Sequence, residues 1–444
     1  MNCTAIDASV VEYFKCPDIF GTSNSEGQVA GSQPEHSFGD RDIEACVRSA
    51  ESEPGTVTDF DALVRALRYE QYLLEAERQC NRDLIGRIYY WLRPALPVSV
   101  RKHLQSMRLR GRLKLSFPRW PVDFTVERLM EVRLIAAMRS AGVEEIPFIW
   151  FWPEGHSSCA ILTHDVETGA GLSYCSELMD INDAYGIKSS FQLVPEERYP
   201  VTAEVLQQIR SRGYEINVHD LNHDGHLFSD WETFSKRVLL INRYAKEYAA
   251  SGFRAGALYR NADWYSALEF DYDMSLPNVG HLDPQRGGCC TVMPFYIGDI
   301  LELPVTTIQD YSLFHILGDY SIQLWRTQIG LIRKQHGLAS FIVHPDYIAE
   351  TRARATYRML LEHLVNLRSE EGLWIPLPTD VNRWWRARSE MRLVRRGGGW
   401  ELEGADKKRA SIAFATCVGD KLSFTYDRGT GVRSALEMQP ASSL

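Results

Sequence analysis

Between about residue 150 and residue 378, short apolar runs alternate with longer stretches of helical spacing, and this rhythm constrains the fold more than any other feature of the chain. The runs are CAILT (159–163), SSFQLV (189–194), YEINV (214–218), GFRAGAL (252–258), YDMSL (272–276), ILELPVT (300–306) and ASFIV (339–343). Most are separated by helix-compatible segments such as 200–212, 231–250 and 319–336. Parallel neighbours need a crossover long enough to return the chain to the same end of the sheet, so the alternation predicts parallel strands with helical connections. Seven such strands predict an α/β fold built as a closed or nearly closed (β/α)7 barrel.

The chemistry-bearing residues fall at the ends of these runs. ILTHDVE (161–167) passes from an apolar strand into His164, Asp165 and Glu167. His219 and His223 follow the third run, Arg254 lies in the fourth, Asp271 and Asp273 open the fifth, and His344 ends the seventh. In a barrel of this type the site is assembled from different strands at their C-terminal ends. Each residue also has a plainer reading. Two histidines four apart suit a solvated helix face, Asp165 suits a helix N-cap, Arg254 a surface charge and His344 a core histidine. Cys289 and Cys290 read as ordinary buried thiols. Independent caps and core histidines have no reason to gather at one mouth, which argues for a single constellation.

Two imidazoles and a carboxylate make a three-ligand set with an open position, the pattern of catalytic zinc sites. An ion held this way lowers the pKa of a bound water toward neutrality and polarises a carbonyl. A second carboxylate is then free as general base. Asp165 and Glu167 supply the two acids, and bringing both to one point is expected to require a turn of the chain at the strand end.

In motif order the chain resembles the polysaccharide deacetylase family (the NodB homology domain, carbohydrate esterase family 4). The matching elements are THDVE (163–167), HDLNH (219–223), FRAGALYR (253–260), DYDMS (271–275) and FIVHP (341–345), covering roughly half the chain. The resemblance implies a distorted barrel of NodB type and metal-dependent hydrolysis of an N-acetyl group on a sugar. It also implies one divalent ion, zinc in the first instance, with cobalt, nickel or manganese as alternatives. It makes Asp165 the catalytic base, His219 and His223 metal ligands, Arg254 the residue that positions the base, and His344 the general acid. Asp271 or Asp273 would hold the His344 imidazole, Asp273 in the first instance.

Two departures stand out. The family's second aspartate, a metal ligand, falls on Val166, so Glu167 is the third ligand, with His164 as the alternative; otherwise His164 is expected to line the site. The third motif reads Arg254-Ala255-Gly256 where the family has Arg-x-Pro. Rival readings are a deformylase or other amide hydrolase acting on a lipid-linked aminosugar, and a catalytically silent glycan-binding protein.

Composition limits the setting. A net charge of −9 argues against a generic nucleic-acid partner. The first twenty residues lack a basic start followed by an apolar run, so no secretory leader is expected. No run approaches the ~18 apolar residues of a membrane span. Nine cysteines without regular spacing, apart from one adjacent pair, fit reduced thiols in a cytoplasm. A cytoplasmic enzyme would meet nucleotide-linked or lipid-linked glycan intermediates. Between Arg87 and Arg119 nine Lys or Arg stand with no acid, interleaved with aromatic and aliphatic residues. Two expectations follow for 87–119: peripheral contact with an anionic inner-membrane surface, or docking of the N-terminal region onto an acidic barrel. The oligomeric state is open. In order, the chain reads as a weakly ordered segment (1–57), a helical and basic region (58–149), the barrel (150–378), and a linker helix with a small β appendage (379–444).

Overall fold

The structure, a computed structural model, describes residues 6–17, 43–52, 59–73, 109–427 and, for the backbone, 433–435. It divides into two compact units, and the division is not sequential. One unit takes Met1–Tyr72, Phe124–Ser157 and Arg383–Leu444; the other takes Leu73–Asp123 and Ser158–Asn382. Most of the basic stretch, 87–108, lies outside the described residues.

The second unit carries a nine-stranded sheet. Its strands are β1 (Ser158–Val166), β2 (Ser190–Leu193), β3 (Glu215–His219), β4 (Gly252–Arg254), β5 (Tyr272–Asp273), β6 (Phe295–Ile297), β7 (Ile300–Glu302), β8 (Leu338–Ile342) and β9 (Leu373–Trp374). All seven apolar runs form strands. GFRAGAL is strand only to Arg254 and then turns into a 3-10 segment at Gly256–Leu258. Two strands were not legible as runs: β6, which pairs antiparallel with β7 in a tight hairpin, and the two-residue β9. Every other ladder is parallel, with helices 169–184, 203–211, 231–247, 323–334 and 351–371 between strands. Long crossovers and parallel pairing are the same fact seen twice.

β1 is paired on both edges, and all nine of its residues are buried. Thr163 pairs with Ile342 on one edge and Ser190 on the other; Cys159 pairs with Leu338 and Trp374. β2 and β9 therefore share the edge opposite β8. Among the described residues no ladder joins β7 to β8, so strand pairing leaves the sheet open there, where a closed or nearly closed barrel was expected. The gap is bridged by threonines instead. Thr306 Oγ1 donates to the Leu338 carbonyl (2.6 Å) and accepts from the Ser340 N–H (2.9 Å), and Thr307 Oγ1 donates to the Ser340 carbonyl (2.7 Å). Pro304 has no N–H to give a ladder there, and the Val305 N–H is taken by the Leu276 carbonyl.

Below the site, the sheet interior holds a polar layer. The Tyr272 hydroxyl donates to Glu215 and reaches Asn217 Oδ1 at 3.1 Å, while the Gly252 N–H donates to the same Asn217 oxygen at 2.8 Å.

The first unit contains the expected β appendage. Strand 412–418 pairs with 421–427 and, on its other edge, antiparallel with Glu145–Ile149. Arg392–Arg396 and Gly399–Glu403 make a separate hairpin. Asp59 caps the helix Phe60–Arg68, its Oδ1 accepting the Ala62 N–H at 2.9 Å. In the region expected to be weakly ordered, Ala8–Phe14 and Ile43–Ser52 are helices. No described helix is long and apolar enough to cross a membrane.

A β-carbon on Gly252 would sit 2.3 and 2.5 Å from ring atoms of Tyr272 and 2.7 Å from Asn217 Oδ1. Gly252→Ala is therefore expected to destabilise the chain by about 1–3 kcal/mol, the usual range for overpacking. A urea midpoint unchanged from the parent would contradict the packing described.

Candidate metal and catalytic centre

β1 delivers the first carboxylates. Along a strand, alternate side chains face opposite sides. Asp165 pairs in register with Gln192, and Gln192 with Asn217, all on the interior face; His164 pairs with Phe191 on the outer face. No turn is needed to unite Asp165 and Glu167. Residues two apart share a face, and the strand runs through Val166 before it ends. Val166 points outward with Leu193, so it could not coordinate an interior ion in any case.

His164 does not line the site. It is fully buried on the helix side, with Nδ1 3.1 Å from the Val343 carbonyl and Nε2 3.1 Å from Asn182 Nδ2. The Asn182 carbonyl is held in turn by the Tyr357 hydroxyl at 2.7 Å. Burial lowers its pKa to about 4, so the ring is neutral. Both ring nitrogens are engaged, which removes His164 as a third ligand.

His219 ends β3 and is paired with Arg254 of β4. Its Nδ1 lies 3.1 Å from the Arg254 carbonyl, which fixes the N–H there and turns Nε2 inward as a lone pair. His223 arrives by a tight loop, not a helix: Asp220 and His223 both have left-handed backbones, φ 57° and 55°. The loop is clamped from two sides. Arg198 donates to the carbonyls of Asn222 (3.0 Å) and His223, and Arg237 makes a two-pronged pair with Asp224 at 2.7 Å on each arm. Gly256 gives it room, since a β-carbon there would stand 2.4 Å from Asp220 Oδ2 and 3.1 Å from His223 Cδ2.

One ligand atom each from Glu167, His219 and His223 lies within 4.8 Å of the others. Glu167 Oε1 is 3.0 Å from His223 Nε2 and 3.8 Å from His219 Nε2. Neither histidine Nε2 has a hydrogen-bond partner of acceptable geometry although both are buried. Buried polar atoms are ordinarily satisfied. Two orphaned imidazole nitrogens and a carboxylate oxygen converging on one point fit a divalent ion with N,N,O ligation. Burial alone would raise the Glu167 carboxyl; the imidazoles of His223, His344 and His219 outweigh it and hold the pKa well below the usual range.

Two dyads flank this point. Arg254, fully buried, places Nη1 3.3 Å from Asp165 Oδ1 and 3.4 Å from Oδ2. Asp165 Oδ2 is 3.8 Å from His219 Nε2. On the other side His344 Nε2 stands 3.3 Å from Glu167 Oε1, and its Nδ1 is 2.7 Å from Asp310 Oδ1. Asp310 Oδ2 also accepts the His344 backbone N–H at 2.7 Å. Burial works against a charged ring, yet Asp310 and Glu167 hold the His344 pKa well above the ordinary histidine value.

Asp310 is the residue that sequence reasoning missed, and it corrects the assignment of Asp273. Asp273 pairs with Phe253, so it faces the side opposite Arg254, away from His344. There it accepts from the Ser275 N–H (2.9 Å) and hydroxyl (2.8 Å) and shares a hydrogen bond with Glu302, its register partner on β7. Asp271 is exposed. Asp310 stands four residues past the sixth apolar run, and the strand-end rule applied there would have found it.

The constellation opens into a cavity of about 400 Å³, lined by Glu167, His223 and His344 together with Arg198, His226, Tyr259, Asp283, Gln309, Tyr311 and Tyr347. That volume is within the range of small-molecule sites, roughly 300–1,000 Å³. Two cations of the basic stretch that are described bind this same unit. Arg110 donates to the carbonyls of Ile316 and Leu317, and Arg112 to that of Asp283 (2.7 Å).

No protein-family model and no curated protein matches the chain. Among solved structures, a Mycobacterium smegmatis protein assigned as a polysaccharide deacetylase is similar at 20% identity, covering 56% of this chain and 97% of its own, with a TM-score of 0.44. The PuuE allantoinase is similar at 14% identity over 53% of this chain and 92% of its own, TM-score 0.44. The peptidoglycan deacetylase PdaC of Bacillus subtilis is similar at 11% identity over 53% of this chain and 94% of its own, TM-score 0.34. Polysaccharide deacetylases thus recur among the structural neighbours; the chemistry of this chain has to be argued from its own residues.

The ligand geometry is tested by metal binding in the purified protein. Glu167→Gln and His223→Ala are expected to weaken Zn2+ binding at least ten-fold, about 1.4 kcal/mol, while His164→Ala keeps the ion and loses stability. Loss of the ion in His164→Ala with retention in Glu167→Gln would reverse the assignment.

Proposed function

We propose that the chain is a metal-dependent hydrolase that removes the N-acetyl group from an amino sugar within a glycan or glycan intermediate. One observation carries this reading: a three-donor cluster sits between an arginine-held carboxylate and an aspartate-held imidazole, and Glu167, His223 and His344 of this group line one cavity. Hydrolysis of an amide needs a base for the attacking water and an acid for the departing nitrogen, and the two dyads supply them on either side of the donor cluster. The open sheet with its threonine bridges is read as an incomplete barrel of the NodB type.

A divalent ion held by Glu167, His219 and His223, zinc by the nature of the donors, would supply Lewis-acid polarisation of the acetamide oxygen and a more acidic water. Asp165 takes the proton of the attacking water as its oxygen bonds to the carbonyl carbon. Arg254 holds Asp165 in place, its Nη1 3.3 Å from Oδ1 and 3.4 Å from Oδ2. His344 enters protonated, its Nδ1–H committed to Asp310, and gives the Nε2 proton to the nitrogen as the C–N bond breaks. Acetate and the free amino sugar leave. Nearby backbone N–H groups aimed at the developing oxyanion would add roughly 3–4 kcal/mol per well-placed donor.

His344 itself argues against the silent-module reading. A binding protein has no use for a buried imidazole whose pKa Asp310 and Glu167 raise at the wall of the cavity. Contact with a lipid-linked precursor through 87–119, and a cytoplasmic location, remain proposals, and the carbonyl bonds of Arg110 and Arg112 favour docking for that end of the stretch.

Acetate release from N-acetylated sugars in the presence of Zn2+ tests the function. Asp165→Asn is expected to retain the ion and lose ~10²–10⁴-fold in rate, the usual worth of a general base. The pH dependence follows from the raised His344 pKa. A raised pKa keeps the acid protonated below it, and activity falls as pH rises through it; Asp310→Asn removes a cause of that elevation, so the alkaline limb of kcat/KM is expected to move to lower pH. An alkaline limb that stays in place would remove His344 as the acid.

A further inference from the structure

Beyond the cavity, an aromatic surface stands at the same end of the sheet. Trp231 is the first residue of helix 231–247 and is 53% exposed, although its side chain is among the largest apolar groups available for burial. Its ring lies 5.6 Å from Trp264, at 71°, and 5.6 Å from Phe234. Trp264 is half-buried and stacks on Phe228 at 6.0 Å and 19°. Phe228 and Phe234 are buried and brace the two tryptophans from beneath.

Topology puts this surface beside the cavity. β3 ends at His219 and β4 at Arg254, so the segments that follow them leave from the site end. Gly225 and His226 line the cavity, and the chain reaches Trp231 five residues later; Tyr259 lines it, and Trp264 follows five residues on. The two segments meet first at the cavity wall, where a β-carbon on Gly225 would stand 3.3 Å from the Tyr259 ring. They meet again at the tryptophan pair. Five residues span at most ~17 Å even fully extended, a reach that a few linked sugar rings cover. Asp230 is committed to Thr233 as the cap of helix 231–247, while Glu232 and Asp263, exposed and next in sequence to the tryptophans, offer carboxylate acceptors. Flat indole faces with carboxylates at their edges match a pyranose, which is apolar on its C–H faces and a hydrogen-bond donor around its rim.

We propose that Trp231, supported by Trp264, is a sugar-stacking subsite for rings distal to the one that enters the cavity, so that the ligand is an oligosaccharide chain and not a single sugar. This rests on the glycan reading above and extends it outside the catalytic residues. No titration, metal or catalytic group takes part, so it can be tested with the ion removed.

The probe is N-acetylglucosamine as monomer and as tetramer, titrated calorimetrically into full-length protein held in chelator. Trp231→Ala is expected to weaken tetramer binding about ten-fold or more, the effect of losing an aromatic anchor, and to leave monomer binding unchanged. Trp231→Phe should restore most of the affinity. Trp231→Ala should also raise KM for acetate release from the tetramer, with kcat retained. Equal tetramer affinity in the parent and in Trp231→Ala overturns the proposal. So does a change from dimer to monomer in Trp231→Ala, which would make the surface a contact between copies. If Trp231-dependent tetramer binding is found and acetate release is not, the subsite stands and the deacetylase reading falls. Acetate release with tetramer binding indifferent to Trp231 gives the opposite result.

Discussion

The site depends on what is done with Arg254. Its guanidinium is entirely buried, and a buried charge without a partner costs several kcal/mol, so the residue commits its surroundings to supplying a carboxylate. Asp165 is that carboxylate. The backbone carbonyl of the same residue accepts the Asp220 N–H at 2.8 Å and stands 3.1 Å from His219 Nδ1. One residue thus fixes the Asp165 carboxylate with its side chain and the His219 imidazole with its main chain. β4 is only three residues long, yet its register with β3 sets the spacing of both groups.

The second determinant is mutual attraction among groups that burial alone would neutralise. Three imidazoles hold the Glu167 pKa below the usual carboxylate range against burial, and Glu167 in turn raises the pKa values of His223 and His344. His344 has a further anchor in Asp310, which binds it at both side chain and backbone. Concentrating such groups in a buried place opposes folding unless each finds its partner, and an ion with two positive charges would relieve the remaining carboxylate and lone pairs. The loop that brings His223 is correspondingly over-determined: two arginines clamp it and Gly256 makes room for it. Left-handed backbone at non-glycine positions such as Asp220 and His223 persists only where the surroundings hold it.

Much of this was legible before any fold was known, because strand ends in a parallel α/β protein are where chemistry gathers. Glu167, His223 and His344 line one cavity, and His219, Asp165 and Arg254 stand in contact behind them. What failed did so for identifiable reasons. His164 looked like a site residue because it is a histidine beside an aspartate, but a strand sends neighbours to opposite faces, and Asn182 and Tyr357 were waiting on the helix side. Asp273 looked like the partner of His344 because it opens a strand, but its register with Phe253 turns it away from the site, and Glu302 pairs with it there. Asp310 was passed over because it stands four residues beyond the end of its apolar run, with Thr307, Ile308 and Gln309 between them and no histidine or paired acid to mark it.

The sequence by itself determined the alternation of strands and helices and the end of the sheet at which Asp165, His219, Arg254 and His344 stand, since periodicity and strand-end position are local properties. Tertiary structure alone decided which groups pair. It chose Asp310 over Asp273, turned His164 to the helix side, joined residues 145–149 to a strand more than 260 positions later, and left the β7–β8 edge to threonine bridges. Those outcomes depend on register and on side chains far apart in the chain, and a linear pattern carries no record of either.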